Sequence, residues 1–305
     1  MDNINEYFKP NFFIPGAAKS GTTTLHDLLN THPDITMSKI KEPVFWNNEK
    51  FNYYEEKDWL KYKKLFKPHS KINGESTTSY MYYSSFINNV NKNYKKPPKF
   101  IFILRNPIDR YVSHFWWMKG LGLEKSNIEN VINTESKTGF IKYDYYPKHY
   151  FQFGLYSKWI QRFIDNFGIE NIKVITFENL ISNRLDTVNS CFDFLGLEKL
   201  ESIPEKSSNK TTKIKYPYMY HIIRKSSIGK MSFTKVGKIF FSRKLIDRIK
   251  NKLKKLIINW KTEEFKYDAL QQEYRDYLKN SGYGTDVKKL KDIFNYPFNE
   301  WKDFD

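Results

Sequence analysis

The stretch that decides the fold of this chain reads Phe12-Phe13-Ile14-Pro15-Gly16-Ala17-Ala18-Lys19-Ser20-Gly21-Thr22-Thr23-Thr24-Leu25. Its apolar first part predicts a buried strand, and a helical pattern begins at Leu25. Between them lies a loop of small residues that contains one lysine. Such a loop before a helix gathers backbone N–H groups and the positive end of the helix dipole. The stretch therefore predicts an anion site, and a Gly/Thr-rich structural turn is the alternative.

The spacing within this loop differs from that of an ordinary nucleotide triphosphatase. Gly16 and Gly21 keep the G-x-x-x-x-G spacing, but Thr22 follows where that motif requires a lysine. The lysine lies inside the loop instead, at Lys19. This arrangement resembles the 5′-phosphosulfate-binding loop of sulfotransferases that use 3′-phosphoadenosine 5′-phosphosulfate (PAPS). The resemblance implies that the cofactor contacts Gly16, Ala17, Ala18, Lys19, Ser20, Gly21, Thr22, Thr23 and Thr24.

A second segment has the chemistry of a phosphate site. Residues 99–104 form an apolar run that predicts a buried strand, Arg105-Asn106-Pro107 ends it, and a helical pattern follows. Proline is tolerated near a helix start because its missing N–H would be unpaired there. The Arg105 guanidinium and the Ser113 hydroxyl, two helical turns later, suit a terminal phosphate. A surface arginine and an unrelated helix serine are the alternative.

This second segment resembles the 3′-phosphate motif of the same family, strand–R-[ND]-P-x-x-R-x-x-S. The resemblance implies that Arg105 and Ser113 hold the 3′-phosphate. Residues 74–80 resemble the family's G-E-x-[ST]-P-x-Y segment, with Thr78 where proline is usual. Further likeness at 154–163, 174–180, 194–197 and 286–301 extends it over most of the chain. It implies an α/β fold with a P-loop-like parallel β-sheet flanked by helices.

Length and the order of apolar runs give the same fold class. A chain of 305 residues can bury one sizeable core, so a single domain over 1–305 is the economical interpretation. Apolar runs near 11–15, 100–104 and 172–177 alternate with helical patterns, which predicts α/β with a parallel sheet. No apolar run approaches about 18 residues, and the first ten residues lack a signal peptide.

Cysteine usage and the N-terminus bear on the compartment. The single cysteine, Cys191, lies in an apolar helical pattern and is expected to be a buried thiol. Golgi members of the family carry an N-terminal membrane anchor, which this sequence lacks. We therefore expect a cytoplasmic protein.

The positive charge is concentrated in one part of the sequence. The net charge is +17, and at about 213–261 Asp247 is the only acidic residue. Residues 244–257 place apolar side chains at helical spacing among lysines, which predicts a basic amphipathic helix. A core-facing helix with a solvated lysine face and docking to an anionic glycan or membrane surface are both open. No nucleic-acid motif is visible, so no nucleic-acid partner is expected.

Sulfuryl transfer needs charge stabilisation at the leaving oxygen and a base for the acceptor proton. Lys19 can supply the first, and no metal is expected because no His/Cys/Asp cluster has ligand spacing. Residues 39–46 resemble the K-E-P-x-[FY]-[FWY] segment of heparan-sulfate-type carbohydrate sulfotransferases, in which the glutamate is the base. That resemblance implies Glu42 as the catalytic base. A structural carboxylate paired with a lysine is the alternative.

Histidines are the rival bases, as in cytosolic steroid and phenol sulfotransferases. His26, on the first helix, and His114, after Ser113, are the two that stay open, whereas His32 is expected to stabilise its turn. The polar segment at 207–211 resembles, in position, the flexible loop of the family that closes over PAPS. Lys210 is therefore predicted to contact the nucleotide, with a solvated lysine as the alternative.

Together these features predict a PAPS-dependent sulfotransferase that acts on a hydroxyl or amine, with a carbohydrate as the expected acceptor. A small polar metabolite is the alternative acceptor. A P-loop kinase would need a lysine in place of Thr22. A non-catalytic nucleotide-binding protein is the last alternative, and the presence of both Lys19 and Glu42 speaks against it.

Overall fold

The computed structural model describes residues 7–68, 70–137, 147–204 and 268–305, and the backbone of two short strands at 212–213 and 263–264. The chain divides into two compact units. The first comprises residues 1–112, 132–209 and 270–305, and the second comprises 113–131 and 210–269. The expectation of a single domain stays a prediction.

The first unit contains one parallel sheet of five strands in the order β2-β3-β1-β4-β5. The strands are β1 (Phe12–Gly16), β2 (Ile35–Met37), β3 (Ile72–Ser76), β4 (Lys99–Leu104) and β5 (Ile172–Thr176). This confirms the predicted α/β class with a parallel sheet. The chain leaves β1 for β2 and β3 on one side and returns to β4 and β5 on the other. The order of the strands therefore reverses at β1 and β4.

Ten α-helices lie in the described residues. They are α1 (Thr22–Leu29), α2 (Glu56–Lys63), α3 (Ser84–Asn93), α4 (Pro107–Gly120), α5 (Ile128–Thr134), α6 (Tyr156–Phe167), α7 (Phe177–Ser182), α8 (Arg184–Phe194), α9 (Gln272–Leu278) and α10 (Gly284–Phe294). Within the described ranges, no helix has the length and apolar character that crossing a membrane requires.

The two faces of the sheet bury different sets of side chains. Phe12 and Ile14 of β1 pack in one cluster with Leu25 of α1 and Val188 of α8. Phe13 points to the opposite face, where its ring lies 5.2 Å from that of Phe86 on α3. Side chains alternate along a strand, so a strand covered on both faces must be apolar throughout. This is why the first apolar run could be predicted as a buried strand.

Strands β2 and β3 were not predicted, because β2 has three residues and β3 is polar. Glu75 of β3 is fully buried and accepts hydrogen bonds from the hydroxyls of Tyr62 and Thr77. Gly74 leaves room for a neighbour, since a Cβ there would lie 2.2 Å from Cζ of Phe12. Contacts from distant parts of the chain therefore allow this polar sequence to form a central strand.

Two smaller predictions are confirmed. Cys191 is a free thiol and fully buried in α8. His32 stabilises its turn: Nδ1 accepts a hydrogen bond from the Asp34 N–H at 3.1 Å, so Nε2 donates to the Glu198 carbonyl at 3.1 Å.

In the second unit, β6 (Thr212–Lys213) pairs antiparallel with β7 (Glu263–Glu264). The predicted contact of Lys210 and the basic amphipathic helix within 213–261 lie outside the described residues, apart from the backbone of β6. Both stay predictions.

Candidate functional site

The loop after β1 is held by close packing of its two glycines. Helix α1 begins at Thr22, three residues earlier than the sequence pattern indicated, so the threonines form its first turn. Gly21 precedes the helix with a φ of 89°, which a residue with a Cβ rarely adopts. A Cβ at Gly21 would lie 2.7 Å from Phe177, and one at Gly16 would lie 2.5 Å from Met81. Both positions therefore require glycine.

The first two N–H groups of the loop bond within the protein. The Ala17 N–H donates to the Ile103 carbonyl at 2.8 Å, and the Ala18 N–H donates to the Tyr82 hydroxyl at 3.3 Å. Ala17 and Ala18 thus fix the loop to its neighbours. The first-turn N–H groups of α1 have no intrahelical partner, and Gly21 has no side chain to cap them. An anion would therefore be held mainly at the helix end of the loop.

Lys19 lies where several positive charges converge. It is partly buried and has a left-handed φ of 70°. Burial, followed by the positive charges of Arg105, Lys41 and Arg110, lowers the pKa of its ammonium group to about 8. Four cations from three segments thus create a positive potential that a multivalent anion would relieve.

Arg105 follows the last residue of β4, as predicted, and Pro107 is the first residue of α4. The Tyr156 hydroxyl donates to the Arg105 carbonyl at 2.8 Å. The guanidinium carbon lies 5.0 Å from the ring centroid of Phe177, which is within the range of a cation–π interaction. The Asn106 side chain accepts a hydrogen bond from the Ile108 N–H at 3.0 Å and so caps the start of α4.

Arg110 and Tyr82 act on the candidate site, and the sequence analysis did not single them out. The Arg110 side chain is fully buried, donates to the Tyr150 carbonyl, and adds to the potential around Lys19. The sequence could have indicated Arg110, because it is the second arginine of the R-[ND]-P-x-x-R-x-x-S pattern. Tyr82 receives the loop N–H of Ala18, and no sequence signal indicated that contact.

Ser113 and His114 belong to the second unit, on α4, and both are buried. Helix α4 is continuous from Pro107, which confirms the helical position of Ser113. The role of Ser113 beside Arg105 stays a prediction, as does a base role for His114.

Glu42 lies in the loop after β2, fixed to the end of β3. Its N–H donates to the Ser76 carbonyl at 2.9 Å. Its carboxylate accepts three hydrogen bonds, one from the Lys41 ammonium at 2.7 Å and two from Thr78, through the N–H at 2.9 Å and the hydroxyl at 3.1 Å. The side chain keeps 36% of its exposure. Glu42 is therefore paired with Lys41, as the alternative of a structural carboxylate required. Its side chain nevertheless remains accessible from the surface.

His26 faces the same region from α1. Its Nδ1 lies 2.9 Å from the Ser76 hydroxyl, and the side chain is buried. Burial, followed by the Lys41 charge, lowers the pKa of His26 to about 4. The imidazole is therefore neutral at pH 7, and a group with so low a pKa is a weak base.

The sheet brings these segments to one edge. Strand β1 pairs with β3 on one side, where Ile14 is opposite Ser76, and with β4 on the other, where Gly16 is opposite Phe102. The carboxyl end of β1 leads to Lys19, that of β4 leads to Arg105, and that of β3 holds Glu42. In open α/β sheets, ligands bind outside the carboxyl ends of the strands where the strand order reverses.

No cluster of three or more His, Cys, Asp or Glu side chains suited to a metal occurs in the part of the chain that the structure describes. The absence of a metal from the reaction stays a prediction.

Comparison with known proteins identifies the family. A family model described as "Sulfotransferase domain" matches residues 9–272. The chain belongs to the sulfotransferase family. A crystal structure of a sulfotransferase from Alicyclobacillus acidocaldarius superposes with a TM-score of 0.67 at 23% identity, covering 97% of this chain and 99% of that one. That similarity confirms the fold.

Curated relatives are similar over part of their length. Carbohydrate sulfotransferase 15 of Mus musculus is 25% identical over 268 residues, which cover 67% of this chain and 47% of the relative. Heparan sulfate glucosamine 3-O-sulfotransferase 3A1 of Mus musculus is 24% identical over 191 residues, which cover 63% of this chain and 47% of the relative. The chain spans about half the length of the curated relatives it matches.

Proposed function

We propose that this sulfotransferase-family protein transfers a sulfuryl group from PAPS to a hydroxyl or amine of a carbohydrate. The observation that carries the proposal is the meeting of Lys19, Arg105 and Glu42 at the carboxyl ends of three adjacent parallel strands. Relatives with carbohydrate and heparan sulfate sulfotransferase in their names support the acceptor class. The carbohydrate acceptor is the more specific part of the proposal, and sulfuryl transfer is the more general part.

The residues at this edge suit a donor with two separate phosphate groups. The loop before α1 and Lys19 would hold the 5′-phosphosulfate, with Thr22 and Thr23 adding hydroxyls. Arg105 would hold the 3′-phosphate, and a role for Ser113 at the same phosphate stays a prediction. Glycines packed against Met81 and Phe177 keep the loop close to the sheet, and the cations around Lys19 match a polyanionic ligand.

Two residues of the chain would carry the chemistry. PAPS, when bound, supplies an activated sulfuryl group. Lys19 would neutralise the charge that develops on the phosphate oxygen as its bond to sulfur breaks, and one such donor contributes about 3 kcal/mol. Glu42 would accept the proton of the acceptor hydroxyl or amine as the new bond to sulfur forms. A kinase is disfavoured because Thr22 stands where its loop lysine would be.

Two experiments test the donor and the acceptor separately. Titration with 3′-phosphoadenosine 5′-phosphate (PAP) is compared with titration by ATP and Mg²⁺, and tighter binding of PAP is expected. A panel of glycans and small polar metabolites is then incubated with PAPS, and mass spectrometry follows the added sulfate. Preference for ATP would overturn the donor assignment. Sulfation of small metabolites alone would overturn the carbohydrate acceptor.

A further inference from the structure

We infer that Thr78 is a positioning residue that aims one carboxylate oxygen of Glu42 at the acceptor, an inference that rests on the proposed function. Thr78 follows β3 and opens the one-turn helix Thr78–Met81. It is the residue that makes two of the three hydrogen bonds to the Glu42 carboxylate. The sequence showed Thr78 as a departure from the family's proline, but it did not indicate the contact with Glu42.

The first step is the backbone of the Glu42 loop. Glu42 has a φ of 59° and Val44 a φ of 54°, both in the left-handed region. That region is unfavourable for residues with a Cβ, and especially for β-branched valine. Residues persist in it only when surrounding contacts determine their conformation, and they cluster at functional sites. The loop therefore depends on contacts with the end of β3.

The second step is the attachment of Thr78 to the sheet. The preceding residue, Thr77, donates from its N–H to the Ile14 carbonyl of β1 at 3.2 Å. Its hydroxyl donates to the buried Glu75 at 2.7 Å. Thr78 is thus held beside β1, the strand that leads to Lys19. The N–H and the hydroxyl of Thr78 therefore hold the Glu42 carboxylate in a fixed position.

The third step distinguishes the two carboxylate oxygens. Oε1 accepts from the Lys41 ammonium at 2.7 Å and the Thr78 hydroxyl at 3.1 Å. Oε2 accepts from the Thr78 N–H at 2.9 Å, its one hydrogen bond among the described residues. A carboxylate oxygen has two lone-pair sites, so Oε1 is saturated and Oε2 keeps one site. The geometry points to Oε2 as the oxygen that receives the acceptor proton.

The experiment removes the donors of Thr78 one at a time. Thr78→Ser keeps both donors, Thr78→Val removes the hydroxyl at similar size, and Thr78→Pro removes the hydroxyl and the N–H. Proline is tolerated at a first helical position. We expect kcat to follow the order wild type and serine, then valine with a loss of about tenfold, then proline with about a hundredfold. KM for PAPS should stay within about twofold, since these donors serve the acceptor proton.

Thr31→Val is the matched control, because the Thr31 hydroxyl bonds within its own turn, to the Leu28 carbonyl at 2.7 Å. It should leave kcat unchanged. In a Glu42→Gln background, Thr78→Val should add little further loss, since coupled residues are not additive. Wild-type kcat in both Thr78→Val and Thr78→Pro, or a parallel rise in KM for PAPS, would overturn the inference.

A second measurement is independent of turnover. Thr78→Val should lower the urea midpoint of the otherwise wild-type protein and leave that of a Glu42→Ala variant unchanged. An equal shift in both backgrounds would mean that the Thr78 hydroxyl does not hold Glu42 in solution. If wild type transfers no sulfuryl group to any acceptor, the proposed function fails, and the unfolding cycle still decides whether Thr78 fixes the carboxylate.

Discussion

The guanidinium carbon of Arg105 lies 5.0 Å from the ring centroid of Phe177, and the same ring packs where a side chain of Gly21 would be. One aromatic side chain of α7 therefore contacts both segments that were predicted to bind phosphate. Because Phe177 touches the end of the loop before α1 and the arginine after β4, it fixes the spacing between the two. A ligand with two phosphate groups needs such a fixed spacing.

Arg105→Ala should weaken PAP binding much more than binding of adenosine 5′-phosphosulfate, which lacks the 3′-phosphate. A charge-assisted hydrogen bond contributes about 1.5–3 kcal/mol, so the expected loss is about tenfold or more for PAP alone. Calorimetry with both ligands measures the difference. Ser113→Ala, tested in the same way, shows whether Ser113 shares this phosphate. Equal losses for both ligands would contradict the assignment of Arg105.

Phe177→Leu should show the same selectivity at a smaller size. The change removes the cation–π contact, worth about 0.5–1 kcal/mol at a partly exposed site, while it keeps most of the apolar packing. PAP affinity is expected to fall two- to fivefold, and adenosine 5′-phosphosulfate affinity is expected to fall less. Phe194→Leu is the matched control, since Phe194 packs against the core cluster at the end of α8. An equal loss of affinity in Phe194→Leu would argue for a general packing effect.

The pKa of Lys19 gives a pH-dependent prediction. The group titrates near 8 in the free protein instead of 10.5, so it is protonated below pH 8 and loses its charge above. A polyanionic ligand favours the protonated form, so PAP binding at pH 8.5 should take up protons, and affinity should fall as the pH rises above about 8. Calorimetry in two buffers of different ionisation enthalpy measures the uptake.

The control for this prediction is Lys19→Ala, which should abolish the proton uptake. The same variant should lose kcat more than PAPS affinity, since the leaving-group charge exists mainly in the transition state. An unchanged kcat with a raised KM would remove Lys19 from a catalytic role, and unaltered proton uptake would assign the titration to another group.

The two segments that are proposed to bind phosphate stand out in the sequence because their residues are local. Gly16, Gly21 and Lys19 lie in one short loop between an apolar strand and a helix, and Arg105 follows directly on another apolar strand. The apolar strands were visible because both faces of a central parallel sheet are buried. The fold class and the position of Arg105 at a strand tip were therefore predicted correctly.

The rest depends on contacts between residues far apart in sequence. Strand β3 has no apolar run that would reveal it in the sequence. Its buried Glu75 is stabilised by a hydrogen bond from Tyr62, thirteen positions away. Phe177 belongs to the site through packing against Gly21, and no pattern in the sequence joins them. Thr78 stood out as a departure from the family pattern, but only the folded chain brings its N–H to Glu42. The cytoplasmic location stays a prediction.

The buried carboxyl of Glu75 predicts a pH-dependent stability. Burial raises its pKa from 4.5 to about 7, and the hydrogen bonds from Tyr62 and Thr77 oppose that shift. The folded state therefore holds this proton between pH 4.5 and 7 while the unfolded state releases it. The contribution is complete below pH 4.5 and is lost as the pH rises towards 7, with a total on the order of 3 kcal/mol.

Urea unfolding across pH 4.5–7.5 measures this effect. Glu75→Gln should flatten the decline of unfolding free energy with rising pH, and part of the decline should persist because burial also raises the pKa of Glu135 to about 7. Glu49→Gln, at an exposed position, is the control and should leave the slope unchanged. A Glu75→Gln protein with the wild-type slope would place the titration elsewhere.

Glu42 is the residue on which the proposed chemistry depends most. Glu42→Gln keeps the shape and one acceptor oxygen for Thr78, but it loses the base. We expect PAP affinity to stay nearly unchanged and kcat to fall by ~10²–10⁴-fold, the usual contribution of general base catalysis. Steady-state rates with the acceptor that the mass-spectrometric panel identifies measure kcat, and calorimetry measures PAP affinity.

His26 supplies the opposing test for Glu42, because it faces the same strand end through Ser76. His26→Asn keeps a polar side chain of similar reach, and a neutral imidazole with a pKa of about 4 is a weak base. We therefore expect His26→Asn to retain most of the wild-type kcat. If His26→Asn or a His114 substitution abolishes turnover while Glu42→Gln retains it, the base is a histidine. The likeness to heparan-sulfate-type sulfotransferases would then lose its main support, and a small-molecule acceptor would become the better hypothesis.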